Sequence, residues 1–307
     1  MLRLAAAISF VVGVLLLIAG IMKIAPSGTV QLAMSLMFFG AVLGGLSFVR
    51  KPDADAAAEP PLSPVERVTG MFYQPARVFQ NLRAHPNWLA AFLVIVLLNL
   101  IYNFAFVQRL TPQRIASFTA DKVIESGFIP EEAQAGFREQ QLESLTTPVG
   151  RASGIVSQIV WGFIGYAFLA AIMLLGVLMF GGRINFWQSL CVALYAYLPI
   201  AVVGKLLSLI LLYVKSVDDI HPIRGQGGLV QDNLGVLFSP AEHPVLFAAA
   251  SLIGVLVFVW VWLMATGLRN AGERVGNSAA WSVAIALWVL GLAFSVISAT
   301  LFGNFIS

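Results

Sequence analysis

Cysteine and charge are both scarce in this chain of 307 residues. The single cysteine, Cys191, excludes an internal disulfide and any zinc or iron–sulfur site that needs several cysteines. Only 11% of the residues are charged, whereas ordinary soluble domains carry about 25%. A chain with so few charged residues cannot cover the water-exposed surface of a large soluble protein.

Motifs of enzymatic chemistry are also absent from the sequence. It has no Ser-His-acid set, no His-Glu-x-x-His and no paired carboxylates within an apolar run. The stretch GQGGLVQDNLG lacks the Lys-Ser/Thr ending of a phosphate loop. We therefore predict no catalytic residue, no cofactor and no metal site, and a protein that is not an enzyme. One loop does contain residue types that can ligate a metal, although a solvated loop explains them equally well: Asp218, Asp219, His221, Glu242 and His243.

Long apolar runs dominate what the chain does contain. Hydrophobic residues make up 59% of it, and the mean hydropathy is +0.87. A helix of about 20 apolar residues is long enough to cross a hydrocarbon core of about 30 Å. Such runs predict an all-α, polytopic helical membrane bundle with about seven transmembrane helices, near residues 4–22, 29–49, 88–107, 154–180, 187–214, 244–267 and 279–303.

The runs divide the chain into two predicted membrane domains joined by a linker. Residues 1–50 hold the first two runs and predict an N-terminal two-helix transmembrane hairpin. Residues 51–62 are rich in Pro, Ala and acidic residues, as a linker is. Residues 63–307 hold the other five runs and predict a five-helix membrane domain.

Two segments of this second domain are predicted to lie outside the spans. Residues 63–82 alternate apolar residues with arginines, a pattern typical of a helix on a membrane surface, and Pro75 interrupts it. Residues 108–153 contain the helix-start signals Thr111-Pro112 and Pro130-Glu131-Glu132. They predict two short helices in an extracytoplasmic loop.

Basic residues indicate the orientation of the bundle. They are scattered among the loops rather than gathered on one face, which argues against nucleic acid as a partner. One side holds nine Lys and Arg with five acids; the other holds eight with ten acids, mostly in long loops where charge has less influence. We expect a cytoplasmic N-terminus and an extracytoplasmic C-terminus. Five tryptophans would then share the cytoplasmic interface: Trp88, Trp187, Trp260, Trp262 and Trp281.

Lys205 is the most informative single residue, because an ammonium inside a span costs at least about 2.5–3.5 kcal/mol at the helix centre. Asn99 and Asn103 share one helix face, and Asn103, Gln158 and Lys205 have similar predicted depths. We predict that these four side chains form a polar cluster around a cavity. The alternative is that the amides join neighbouring helices while Lys205 extends to the membrane surface.

Pro199 lies in the middle of the fifth run, six residues before Lys205. Proline has no N–H to donate to the helix ladder, and its ring clashes with the preceding turn. We therefore predict a kink in the fifth helix.

Four sequence features carry a resemblance to a known family. They are the lead-in SPVERVTGMFYQPARVFQNLRAHPNW, the YAYLPI of the fifth run, QDNLGVLFSP before the sixth, and FVWVWLMATGLRNAG at its exit. In their order and spacing, residues 62–307 resemble the Yip family, the Ypt/Rab-interacting-protein domain, in its prokaryotic branch. The resemblance implies five membrane helices and a home in the cytoplasmic (inner) membrane of a bacterium. The N-terminal hairpin is additional to that domain.

The resemblance also implies a function, namely a non-enzymatic organiser or adaptor of membrane components. Its partners would be the lipid bilayer and other membrane proteins or further copies of the chain. Eukaryotic members carry an acidic-Leu-aromatic-Gly-Pro element, which this chain lacks, and a Gly-Tyr pair that Leu194-Tyr195 replaces here. These departures weigh against GTPase binding. The alternative function is a small-solute carrier or channel that uses a polar cavity around Lys205; a lipid enzyme is a third hypothesis.

Overall fold

The computed structural model describes residues 2–22, 24–26, 28–50, 59–127 and 129–303, except the side chain of residue 302. Most of the predicted linker, residues 51–58, therefore lies outside the described residues. Most of the described residues belong to twelve α-helices: α1 Leu2–Ile21, α2 Thr29–Leu46, α3 Pro64–Gly70, α4 Pro75–Ala84, α5 Leu89–Leu110, α6 Pro112–Glu125, α7 Glu131–Thr146, α8 Pro148–Met179, α9 Phe186–Val214, α10 Pro244–Ala250, α11 Val255–Ala271 and α12 Asn277–Phe302. The predicted all-α membrane fold is confirmed.

Six of the described helices are long and apolar enough to cross a membrane: α1, α2, α5, α8, α9 and α12. The seventh predicted run, near 244–267, differs from a single span. It is divided into α10 and α11, and α11 has only 17 residues. The largely apolar composition of this run had predicted one continuous helix.

The interruption is held in place by Asp232 and Leu234, which precede α10. Leu234 N–H donates to the carbonyl of Ile253 at 3.0 Å, so the two segments pair across the break. The Asp232 carboxylate accepts from the N–H of Leu256 at 2.7 Å and so caps α11 from a distance in sequence. A negative charge at this end stabilises a helix because the first N–H groups have no intrahelical partner. The hydrogen bonds available outside the run thus offset the cost of breaking it.

Contacts divide the chain into two compact units. The first comprises Met1–Arg50, Asn103–Gly165 and His221–Ile223, and the second comprises the remainder. The predicted division into hairpin, linker and five-helix domain stays a prediction.

Close helix packing defines the hairpin in the first unit. A Cβ on Gly40 would lie 2.7 Å from the backbone nitrogen of Phe10, and one on Gly13 would lie 2.9 Å from the carbonyl oxygen of Ala33. Both glycines therefore let the backbones of α1 and α2 approach directly, as small residues do between membrane helices. On the far side of α2, Ser35 and Ser157 share a hydrogen bond of 2.9 Å, which ties the hairpin to α8.

The predicted pair of short helices in residues 108–153 corresponds to α6 and α7 in this same unit. Arg138 of α7 forms an ion pair of 2.5 Å with Asp121 of α6. Both side chains are about half exposed, so the pair contributes little to stability.

The core of the second unit is centred on the first half of α9. Leu190 to Ala196 of this helix are all fully buried. The helix begins with a capping box in which the Asn185 side chain accepts from the N–H of Trp187 at 2.9 Å and Gln188 reaches back to Asn185. Helices α4 and α11 pack on this core, and α12 packs on α11.

Candidate functional site

Lys205 is buried within α9, with 8% of its surface exposed. Its Nζ donates to the carbonyl oxygen of Gly227 at 2.7 Å and lies 4.5 Å from the ring centre of Tyr102. A carbonyl dipole and an aromatic face both stabilise an ammonium. Lys205 is therefore enclosed within the protein, where a carbonyl dipole of a loop that folds against α9 stabilises its ammonium.

Two further side chains hold the same loop. The hydroxyl of Tyr102 donates to the carbonyl oxygen of Gly225 at 2.5 Å, and the hydroxyl of Ser208 accepts from the N–H of Leu229 at 2.9 Å. Tyr102 and Ser208 are each 1% exposed. We call Tyr102, Lys205 and Ser208, with loop residues 225–229, the Lys205 clamp.

The clamp explains the glycines of this loop. Gly228 has φ of +143°, a backbone region that side chains rarely adopt, and a Cβ there would lie 3.2 Å from the Ser208 hydroxyl. A loop of small residues exposes its own carbonyls and N–H groups to side chains of the bundle. These glycines therefore let the loop backbone contact side chains of the same protein.

The other members of the predicted polar cluster differ from Lys205 in their burial, their hydrogen bonds and the unit to which they belong. Asn99 of α5 donates to the carbonyl of Ile95 in its own helix at 2.9 Å. Asn103 is half-buried and Gln158 is exposed, and both belong to the first unit, whereas Asn99 and Lys205 belong to the second. Convergence of all four around one cavity stays a prediction. The two described cavities are lined by other residues.

Pro199 is buried inside α9, and the helix continues on both sides of it. The kink expected there stays a prediction. The five possible metal ligands between residues 218 and 243 do not gather: within the described part of the chain, no group of three or more His, Cys, Asp and Glu is placed to hold a metal.

A second candidate surface is formed by α3 and α4, the segment predicted to lie on the membrane. The apolar side of α4 is instead buried in the protein, with Val78, Phe79 and Leu82 at most 2% exposed. A Cβ on Gly267 of α11 would lie 3.0 Å from the ring of Phe79, so this glycine leaves room for the aromatic side chain. We call residues 63–84 the α3–α4 platform.

Polar contacts hold the ends of the platform. Asn81 is 6% exposed; its side chain donates to the carbonyl of Pro60 at 3.0 Å and accepts from the N–H of Leu62 at 3.1 Å. Gln80 donates to the side chain of Asn270 at 3.1 Å, and Gln188 donates to the carbonyl of Arg83 at 2.8 Å. The last residues of the predicted linker are thus part of a fixed structure.

Arg67 is a buried arginine of the platform. It is 3% exposed, and its guanidinium interacts with the hydroxyl of Tyr195 on α9. The Tyr195 hydroxyl itself donates to the carbonyl of Asn87 at 3.2 Å. Tyr195 belongs to the YAYLPI motif, so that motif anchors the segment that leads into α5.

The start of α3 and the turn between α3 and α4 leave large side chains uncovered. Val65, Phe72 and Tyr73 are 71%, 50% and 67% exposed. α3 is fixed by a capping box between Ser63 and Glu66. Hydrogen bonds from Ser63 hold the pKa of the Glu66 carboxyl below its usual range, so Glu66 remains an anion at neutral pH. The platform therefore presents apolar groups from a backbone that is already ordered.

Comparison with known proteins identifies the family. No curated protein and no solved structure matches the chain. The model of the Yip1 domain matches residues 69–298, which is more than half of the 307 residues and includes α4, α9 and α11. The N-terminal hairpin lies outside the matched region. The four sequence features noted above lie within or across that region, and this integral membrane protein belongs to the Yip family.

Proposed function

We propose that the protein is a non-enzymatic organiser or adaptor that binds another integral membrane protein through the α3–α4 platform. The observation that carries this proposal is the combination of a buried, hydrogen-bonded platform with exposed Phe72 and Tyr73 at its turn. A binding surface that is ordered before association loses less entropy when its partner arrives. Aromatic side chains are enriched at the centres of such interfaces.

The position of the platform favours a partner in the same membrane. Only four residues separate Ala84 of α4 from Leu89, where the spanning helix α5 begins. A segment of that length keeps Ala84, the end of the platform, within about 18 Å of the first residue of α5. A neighbouring membrane protein, or a second copy of this chain, can reach the surface there.

We further propose a bacterial cytoplasmic membrane as the location, with the N-terminus in the cytoplasm. The distribution of basic residues and the prokaryotic character of the resemblance support this assignment. The platform then faces the cytoplasm. The missing acidic-Leu-aromatic-Gly-Pro element favours partners other than a GTPase.

Replacing Phe72 and Tyr73 together by serine is expected to release the partner while leaving the fold intact, because both side chains are exposed. The protein would be captured in native-lipid discs and its co-purifying proteins measured by mass spectrometry. A stoichiometric protein should fall at least about tenfold in the double variant, since an interface anchor is worth about 2 kcal/mol or more.

The matched control replaces Val236 and Leu237 by serine. This pair is also apolar and exposed, at 56% and 71%, but lies on the short 3-10 helix Leu234–Leu237. Equal loss of the same protein in both double variants, or no stoichiometric protein in the unaltered sample, would contradict the proposal.

The alternative function is a small-solute carrier or channel with a polar cavity around Lys205. One observation favours it: a buried ammonium lies within a spanning helix. Against it, the same ammonium already has a carbonyl and an aromatic ring as partners within the protein.

Replacing Ala201 by cysteine tests this alternative while leaving Lys205 in place. Ala201 is 3% exposed and lies one turn before Lys205 on the same face of α9. In a Cys191→Ala background, we expect no labelling of Ala201→Cys by a membrane-impermeant thiol reagent from either side. A positive control, Ser216→Cys, lies at an exposed position beyond the end of α9. Rapid labelling at position 201 would instead support a water-filled path and the carrier.

A further inference from the structure

A cleft of about 320 Å³ lies where the end of α11 meets the start of α12. Trp262 and Trp281 line it, and they are 46% and 36% exposed. Between them the cleft presents polar groups that include a guanidinium and amides: Thr266, Arg269, Asn270 and Asn277. Among the described residues that line this cleft, none is acidic.

The cleft is ordered by contacts on three elements. Asn270 donates to the carbonyl of Thr266 at 2.7 Å, and its side-chain oxygen accepts from Gln80 of α4 at 3.1 Å. Ala76 of α4 closes one wall. The platform therefore supports the cleft without filling it.

Arg269 is the positive group of the cleft. Within the described residues, its guanidinium makes one hydrogen bond, to Asn277 at the long distance of 3.5 Å. The neighbouring carboxylate of Glu273 pairs instead with Arg83 at 3.6 Å. A guanidinium has five donors in a fixed fork, which suits two oxygens of one phosphate. Most of that capacity remains available for a ligand.

The position of the cleft at the start of a spanning helix matches the level of the lipid headgroups. Asn277 begins the spanning helix α12, so the cleft opens where the chain enters the bilayer. Tryptophans are enriched at this level of the membrane, with the indole between the headgroups and the acyl chains. A lipid whose phosphate group lies beside Arg269 would have its acyl chains along the apolar sides of Trp262 and Trp281.

We propose that this cleft binds the phosphate group of an anionic ligand, with Arg269 as the charged donor, Asn277 as a further donor and the two tryptophans as walls. Two sources share this chemistry, an anionic phospholipid and free phosphate. The inference does not depend on the organiser function, because it concerns different residues from Phe72 and Tyr73.

Native mass spectrometry of the full chain in detergent tests the site. The probes are phosphatidylglycerol and diacylglycerol with identical acyl chains, and inorganic phosphate as a competitor. Because diacylglycerol lacks the phosphate group, we expect phosphatidylglycerol to bind about tenfold more tightly. Arg269→Gln should abolish that preference, because a charge-assisted hydrogen bond is lost. Arg269→Lys keeps the charge but not the fork and should retain part of the preference.

The control is Arg274→Gln, which removes an exposed arginine of the same connection that does not line the cleft. Competition by millimolar phosphate that depends on Arg269 would support the site with free phosphate as its source; the absence of competition would support the lipid. Equal binding of the two lipids, or equal effects of Arg269→Gln and Arg274→Gln, would overturn the proposal. Neither result would alter partner capture at Phe72 and Tyr73.

Discussion

Replacing Phe79 by alanine is expected to cost about 3–5 kcal/mol of the free energy that holds α4 on the bundle. The ring is fully buried and packs against α11 at Gly267, where little space exists for other atoms to move into the gap. Hydrogen exchange of the α4 amides measures this local free energy directly. At about 3 kcal/mol or more, their protection should fall at least about a hundredfold.

Two further variants test whether the effect is specific to the contact between Phe79 and Gly267. Gly267→Leu disrupts the same contact from the α11 side, because even a Cβ there would lie 2.7 Å from Val192 and 3.0 Å from the Phe79 ring. It should also release α4. Phe72→Ala is the matched control: its ring is half exposed, so the change should stay within about 0.5 kcal/mol. Unchanged exchange in Phe79→Ala would show that α4 is held by its polar contacts alone.

Lys205→Met is expected to open the Lys205 clamp. The charge-assisted bond to Gly227 is worth about 1.5–3 kcal/mol, and the contact with the Tyr102 ring adds about 0.5–2 kcal/mol. Removing the buried ammonium also removes its desolvation cost, which offsets part of this loss. Opening of residues 225–229 should become about tenfold to a hundredfold more frequent.

A cysteine at Leu229 reports on this opening. Leu229 is 9% exposed in the closed loop, and its N–H still donates to Ser208 when the side chain changes. In a Cys191→Ala background, thiol labelling of Leu229→Cys should accelerate with Lys205→Met. Lys215→Met removes a lysine from the end of α9 and should leave the rate unchanged. Equal rates in the two backgrounds would contradict the clamp.

Sequence periodicity predicted the helices that cross the membrane because a span must satisfy its own backbone and present apolar side chains throughout. The interruption between α10 and α11 could not be predicted in this way. It depends on Asp232 and Leu234, which lie far enough away in sequence that no local pattern links them to residues 253–256. The signal that could have shown it was Gly254 together with an acid in the preceding motif.

The candidate site shows the same limit. The cost of a charge in the membrane singled out Lys205 as a residue that needs a partner. Its partner is a backbone carbonyl of the Gly-rich loop, which carries no side-chain signal in the sequence. Amphipathicity likewise found the α3–α4 platform, but it could not show that Phe79 and Arg67 face protein, since a lipid surface and a protein surface both accept an apolar stripe.

In-cell photocrosslinking at the platform tests the central claim most directly. A photoreactive amino acid replaces Tyr73, and a second sample carries it at Leu237 as the control, because both positions are exposed and apolar. The organiser function predicts one discrete protein adduct at position 73 that is absent at position 237. The same adduct at both positions, or only lipid adducts at position 73, would contradict it.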